Sequence, residues 1–458
     1  MTPTTTATQH KGRRWIEHWE PEDESFWQST GKKIANRNLW ISVFTEHVGF
    51  SMWSLMSVMV LFMGPAYHVS VSDKFLLTSS ATFVGAFVRI PYTFAVARFG
   101  GRNWTIVSAL LLLIPTITAA FVMKPGTSFG TFLLLAVLCG FGGGNFASSM
   151  ANINTFFPEK AKGMALGLNA GGGNLGVAVV QLIGLFVIAT AGTTAPRIIL
   201  AIYIPLLVVG AALAALFMDN IASVRNDKKG MREVMKDAHC WVISFLYIGT
   251  FGSFIGYSFA FGLVLQNQFG RTPLQAAYIT FLGPLLGSFS RPVGGWLADK
   301  IGGAKVTFWN FVGMAAMTVV LIVASNMKSL GLFTAAFVVL FVLSGLGNGS
   351  TYKMIPAIFK TKAQAAIDAG ADKAAELLHA RKLSGALIGL AGAIGALGGV
   401  FINVAFRQSF ATAHSGVPAC VGFLVFYGVC FVVTWAVYLR KSSAPVSAKG
   451  LALAGAQV

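Results

Sequence analysis

GAFVRIPYTFAVARFGG occupies residues 85–101, and GSFSRPVGGWLADKIGG occupies residues 287–303. Gly85/Gly287, Phe87/Phe289, Arg89/Arg291 and Gly100-Gly101/Gly302-Gly303 coincide without a gap, at an offset of 202. Outward from this pair, GFGGGN (140–145) matches GLGNGS (345–350) at offset 205. GMALGLNAGGGNLG (163–176) lies over GALIGLAGAIGALG (385–398) at offset 222, placing Gly163, Gly167, Gly173 and Gly176 on Gly385, Gly389, Gly395 and Gly398. The jump in offset comes from an insert around AQAAIDAGADKAAELLHARK, which reads as a short amphipathic helix. Matches in the same order along both parts of a chain predict two structurally equivalent halves.

Composition says what those halves are made of. The 458 residues are 55% hydrophobic and only 11% charged, whereas a soluble domain is about a quarter charged. A membrane-spanning helix needs roughly 20 mostly apolar residues. Twelve windows qualify: 39–64, 75–97, 103–123, 127–156, 163–191, 196–218, 239–266, 273–298, 304–327, 330–358, 383–406 and 416–440. The expected fold is therefore an all-α membrane protein of twelve transmembrane helices in two pseudo-symmetric six-helix bundles. The expected organisation is a polar segment 1–38, a bundle 39–218, a linker 219–238, a bundle 239–440 with an insert at 360–382, and a tail 441–458. Residues 1–38 are polar and the first apolar run is long enough to stay as a span, so no cleavable leader is expected.

The net charge of +18 invites a nucleic-acid reading, but its placement opposes one. One set of connections plus the termini holds 25 of the 34 Lys and Arg; the opposite set holds six, one per loop. Lysine and arginine favour cytoplasmic loops, so both termini are expected inside a cytoplasmic membrane, with the lipid bilayer as partner and no nucleic acid. The four cysteines have no metal spacing and read as apolar packing residues. Haem needs paired axial ligands, and His47 alone of the histidines lies well inside a span. No metal, no cofactor and no enzymatic activity are expected.

Arg89 and Arg291 lie well inside spans 2 and 8, where a charge costs at least ~2.5 kcal/mol. Pseudo-symmetry would bring both to the interface between the halves. Of the 16 acids, only Glu46 lies inside a span, nearer the membrane surface than the arginines. A salt bridge cannot serve both arginines, so the missing counter-charge is expected to be an anionic substrate. Arginine offers a planar, permanently charged fork suited to planar oxyanions. Phe146, Tyr257 and Phe261 are candidate walls, and Asn145, Asn169 and Asn174 candidate polar contacts. Each alone would ordinarily be packing.

The runs Gly142–Gly144 and Gly171–Gly173 are not phosphate cradles. That motif requires Gly-x-x-x-x-Gly-Lys-Ser/Thr between a strand and a helix, and both runs lie in apolar spans. Small residues let membrane helices approach closely. Gly163, Gly167 and Gly171 share one face of span 5, and Gly385 and Gly389 one face of span 11, so tight packing along these faces is expected.

These motifs together resemble the nitrate/nitrite porter family of the major facilitator superfamily. The resemblance rests on GMALGLNAGGGNLG, GALIGLAGAIGALGG, and the arginines in GAFVRIP and GSFSRPVGG. It implies two bundles, nitrate bound between Arg89 and Arg291, aromatic walls from Phe146, Tyr257 and Phe261, and signature glycines and asparagines near the ligand. Asp299 fits the superfamily's loop pattern, while the first half has Ala97 there. The expected activity is nitrate/nitrite antiport, exchange being favoured by the lack of a midplane carboxylate, and a monomer is expected. The alternatives are proton-coupled symport of nitrate or another small anion, with Glu46, His47 and Lys353 as candidates for proton handling or gating, or an anion channel.

Overall fold

The computed structural model describes residues 14–224 and 228–440; residues 1–13, residues 225–227 of the linker and the 441–458 tail lie outside the described residues. Span 1 runs Lys32–Trp53 and, beyond a break at Ser54, Leu55–Phe62. Spans 2 to 6 are Val71–Phe99, Gly101–Val122, Phe129–Phe156, Glu159–Ala191 and Arg197–Phe217. Span 7 is Ala238–Phe269, and span 8 comprises Pro273–Thr280 and Leu282–Ile301. Spans 9 to 12 are Gly303–Asn326, Leu330–Asp368, Lys373–Ala413 and Val417–Leu439. Ten of these are long and apolar enough to cross a membrane. Spans 1 and 8 fall outside that set; both carry polar groups, Glu46 and His47 in one, Arg291 and Asp299 in the other.

Local chemistry sets the boundaries. Ser70 caps span 2 by accepting from the Asp73 amide, Thr272 and Gln275 form a reciprocal capping box at span 8, and Asp372 caps span 11. Such caps satisfy amide groups that the first helical turn leaves unpaired. The repeated Gly-Gly pairs end spans 2 and 8: Gly100 and Gly302 take φ of 88° and 94°, which a side chain would resist.

The insert is not a separate helix. Its helix-forming residues extend span 10 to Asp368 and start span 11 at Lys373, and the break between them is at Gly370, φ 97°. The linker likewise holds structure. Asn220–Ile221 pairs in parallel with Trp15–Ile16, and a short helix covers Lys228–Val234. The buried Asp219 carboxylate accepts from Arg37 at 2.5 Å and from Asn38 at 3.1 Å. These contacts put the described N-terminal segment and the end of span 6 on one side of the molecule, called here the termini side.

Packing repeats the sequence symmetry. Span 2 lies along span 11 across the interface, and span 8 along span 5, while within the halves span 5 packs on span 1 and span 11 on span 7. The outer surface exposes Phe87, Phe121, Trp309 and Val425 at 62–68%, the apolar covering a bilayer would meet. The four cysteines are buried and free.

Candidate functional site

Arg89 is fully buried on span 2. Its Nε donates to the Gly143 carbonyl at 3.1 Å and its Nη1 to the Gly392 carbonyl on span 11 at 2.7 Å. The first glycine run makes the former contact available: span 4 tightens into a 3₁₀ turn at Phe141–Gly144. Side chains there would strike the span 1 backbone at Gly49, the Gly85 backbone with Trp53, and the Tyr92 ring. The guanidinium also lies over four rings: Phe146 at 4.7 Å, Phe251 at 5.0 Å, Trp53 at 5.1 Å and Phe50 at 5.9 Å. Its Nη2 has no partner.

Arg291, 7% exposed, stands opposite on span 8. Its Nη2 donates to the Tyr247 hydroxyl at a long 3.4 Å, and its guanidinium lies 5.3 Å from the Tyr352 ring centre. Tyr352 is fixed in turn by donating to the Ile388 carbonyl at 3.1 Å. The Nη1 of Arg291 has no partner. A continuous run of rings joins the two centres: Tyr352 to Tyr247 at 5.1 Å, Tyr247 to Phe251 at 5.2 Å and Phe251 to Phe146 at 6.1 Å.

Among the described residues, neither arginine makes an ion pair. A cation–π contact supplies about 0.5–2 kcal/mol, while an uncompensated buried charge costs several. Rings and carbonyls position these cations but leave two buried donor groups and a positive field that an anion would satisfy.

Of the remaining sequence candidates, Phe146 lies in this box. Tyr257 and Phe261 do not join it: the Tyr257 hydroxyl pairs with Tyr427 at 2.5 Å, and Phe261 stacks on Phe337 at 4.0 Å, inside the second half. Asn145 and Asn174 are buried, with their Oδ1 atoms unpartnered. Asn169 Nδ2 donates to Glu46 at 2.5 Å and to Ser149 at 2.9 Å; Ser149 also donates to Glu46. Glu46 is thus buried among spans 1, 4 and 5. His47 Nδ1 pairs with the Gly172 carbonyl at 3.1 Å. Lys353 is half exposed and pairs with Asp299 at 2.7 Å, outside the box.

The signature glycines divide into two sets. At Gly163, Gly167, Gly171 and Gly385 an added Cβ would meet open space, and at Gly389 only Thr93 at 3.8 Å, so these positions are not tight helix contacts in this conformation. Tight packing falls one turn further on. A Cβ at Gly173 would strike the Glu46 side chain, and at Gly176 the His47 carbonyl. At their repeat partners it would strike the Tyr247 ring (Gly395) and the Ile248 carbonyl (Gly398).

On the side away from the termini the halves are joined. Thr78 donates to Asn403 at 2.9 Å, Arg407 to Ser72 at 3.0 Å and Gln181 to the Ser258 carbonyl at 2.8 Å, and Phe75 stacks on Phe406 and Phe410. The open glycine faces lie on the termini side. The box is closed on the side away from the termini.

Two helical halves with a buried cationic box between them, sealed at one end, are the build of a secondary carrier. Residues 39–367 match the model of the Major Facilitator Superfamily. The chain is 41% identical to a nitrate/nitrite transporter NarU of Salmonella typhimurium, over 95% of this chain and 99% of that one. It is 31% identical to a probable nitrate/nitrite antiporter NarK2 of Thermus thermophilus, over 94% and 97%. A crystal structure of a D-xylose-proton symporter aligns with TM-score 0.63 at 14% identity, covering 88% of this chain and 97% of that one, a likeness of fold. The chain belongs to the major facilitator superfamily, in its nitrate/nitrite porter family.

Sequence reading missed Phe50, Trp53, Tyr247, Phe251, Tyr352 and the carbonyls of Gly143 and Gly392. One signal for Tyr247 was present: extended at an offset of 201, the repeat sets it opposite Glu46, and Gly395 and Gly173 abut these two residues in the structure.

Proposed function

We propose that this protein carries nitrate and nitrite across the cytoplasmic membrane, exchanging one for the other by alternating access, with the anion clamped between Arg89 and Arg291. The observation that carries the reading is the pair of buried, unpartnered guanidinium nitrogens, one from each half, facing a common aromatic box. A planar oxyanion accepts from both forks at once. The rings bracket the site, and the one ring hydroxyl that accepts from an arginine there, that of Tyr247, does so at a long 3.4 Å. Asn145 and Asn174 are candidate further contacts. The names of the relatives, which span nearly the whole chain, support the choice of anion.

The empty box holds two like charges that oppose closure. A bound anion offsets that repulsion, so loading promotes the rocking that opens the opposite side. The positive bias of the termini-side connections supports a cytoplasmic location for that side, and the seal described above supports a cytoplasm-facing conformation. One chain holds every group of the box, in keeping with a monomer.

The test is counterflow of labelled nitrate in liposomes loaded with nitrite, nitrate or neither. Uptake requires an internal anion if exchange is the mode. Arg89→Lys and Arg291→Lys each abolish uptake with the fold retained, because an ammonium cannot replace a fork. Near-normal transport in both variants refutes the clamp. Proton-coupled uptake is the second reading, favoured by the burial of Glu46.

A further inference from the structure

We propose that the crevice between spans 11 and 12 is a binding site for one acyl chain of a bilayer phospholipid, entered from the leaflet on the side away from the termini. Packing explains why the crevice exists. Span 11 is pressed onto span 7, where Gly398 and the Ile248 carbonyl leave no room for a side chain. Span 12 leans on span 9 instead, with Phe431 5.8 Å from Phe308 and Tyr427 6.4 Å from Phe311. The two helices are joined by a short turn yet pack on different neighbours, and a cavity of about 470 Å³ opens between them. Its walls include Phe401, Ala405, Gly422 and Phe426, and Ile248 and Gly398 line its inner end. Gly422 keeps the space open: a Cβ there would meet nothing within 4 Å.

The position, chemistry and length of the crevice commit it to hydrocarbon. Phe401 lines it and is itself 58% exposed, and Val404, Val421 and Val425 around its mouth are exposed as well. The crevice is therefore continuous with the apolar outer surface of two membrane spans. The polar atoms of its lining are already paired. The Tyr427 hydroxyl meets Ser253 at 2.7 Å and Tyr257 at 2.5 Å, and Ser409 donates to the Ser415 carbonyl at 2.5 Å. Apolar spaces of this kind stay dry, and walls left without neighbours lose their dispersion contacts. From Gly398 to Thr412 the helix rises about 21 Å, enough for the roughly 15 Å of hydrocarbon in one leaflet. At the far end Gln408 and Thr412 line the crevice and are exposed, so a lipid's ester and headgroup would meet polar side chains there.

The crevice lies directly behind the seal between the halves. On span 11, Asn403, Phe406, Arg407 and Phe410 reach Thr78, Phe75 and Ser72 of the first half. Helical spacing puts Phe401, Ala405, Gln408 and Thr412 on the opposite face of the same helix. A chain seated there backs the helix that carries the seal.

The experiment reconstitutes the full-length protein into phosphatidylcholine liposomes containing a small fraction of phosphatidylcholine with a diazirine midway along one acyl chain. After irradiation and digestion, mass spectrometry locates the adducts. Phe401, Ala405 and Gly422 are expected to carry several-fold more adduct than Ile114, Ile117 and Phe121, which are exposed on the corresponding half of span 3. Gly422→Trp fills the crevice with a ring and removes that excess while leaving the labelling of span 3 unchanged. Ala405→Phe does the same from the facing wall, a readout that survives if Gly422→Trp fails to fold. Even labelling of all these positions, or an excess that persists in the filled variants, overturns the proposal. Label that marks span 3 but spares the crevice, as a second copy of the chain seated there would cause, overturns it too.

Discussion

The two ends of each glycine signature look alike in sequence and do opposite things. Gly176 and Gly398 are pressed against the carbonyls of His47 and Ile248 on spans 1 and 7, whereas Gly163 and Gly385 have nothing near them. One end is a fixed joint within each half. The other is a bare, exposed face on the termini side. The difference teaches that glycine in these helices has two uses, close approach now and close approach in another conformation, and that spacing alone cannot separate them.

Three sets of substitutions test these contacts, from the largest effect to the smallest. Gly176→Ala or Gly398→Ala puts a methyl group into backbone that cannot turn aside. Thermal unfolding in detergent should show a loss of about 1–3 kcal/mol or more, the range for overpacking; a native-like melt breaks the joint half of the comparison. Gly163→Leu or Gly385→Leu should leave stability within about 0.5 kcal/mol, as surface changes do. The same variants should slow counterflow roughly tenfold, equivalent to about 1.4 kcal/mol on the closing step. Unchanged rates would mean that the bare faces never meet. Tyr247→Phe removes only the long hydrogen bond to Arg291 while keeping the ring against Gly395. Nitrate affinity should fall by about threefold, the low end for a hydrogen bond, and a titration that shows no change would make the hydroxyl dispensable.

The architecture and the paired arginines were legible because both are periodic: apolar windows repeat along the chain, and Arg89 and Arg291 sit at one repeat position. Apart from Phe146, the aromatic walls were not. Span 7 is buried along nearly its whole length, so it has no polar face from which to read its rotation. It also contains a π-helical turn, Ile248–Gly252, which shifts the phase of every residue beyond it. Tyr247 and Phe251 therefore face the arginines, while Tyr257 and Phe261 point into the second half.

The parallel pairing of Trp15–Ile16 with Asn220–Ile221 bears on how the molecule is made. The first strand leaves the ribosome early, but its partner follows only after six spans have been synthesised. Domains are generally completed in order from the N-terminus. The chain's opening residues then wait for span 6 and close the first half before the second has formed, a clasp that fastens a finished unit during biogenesis.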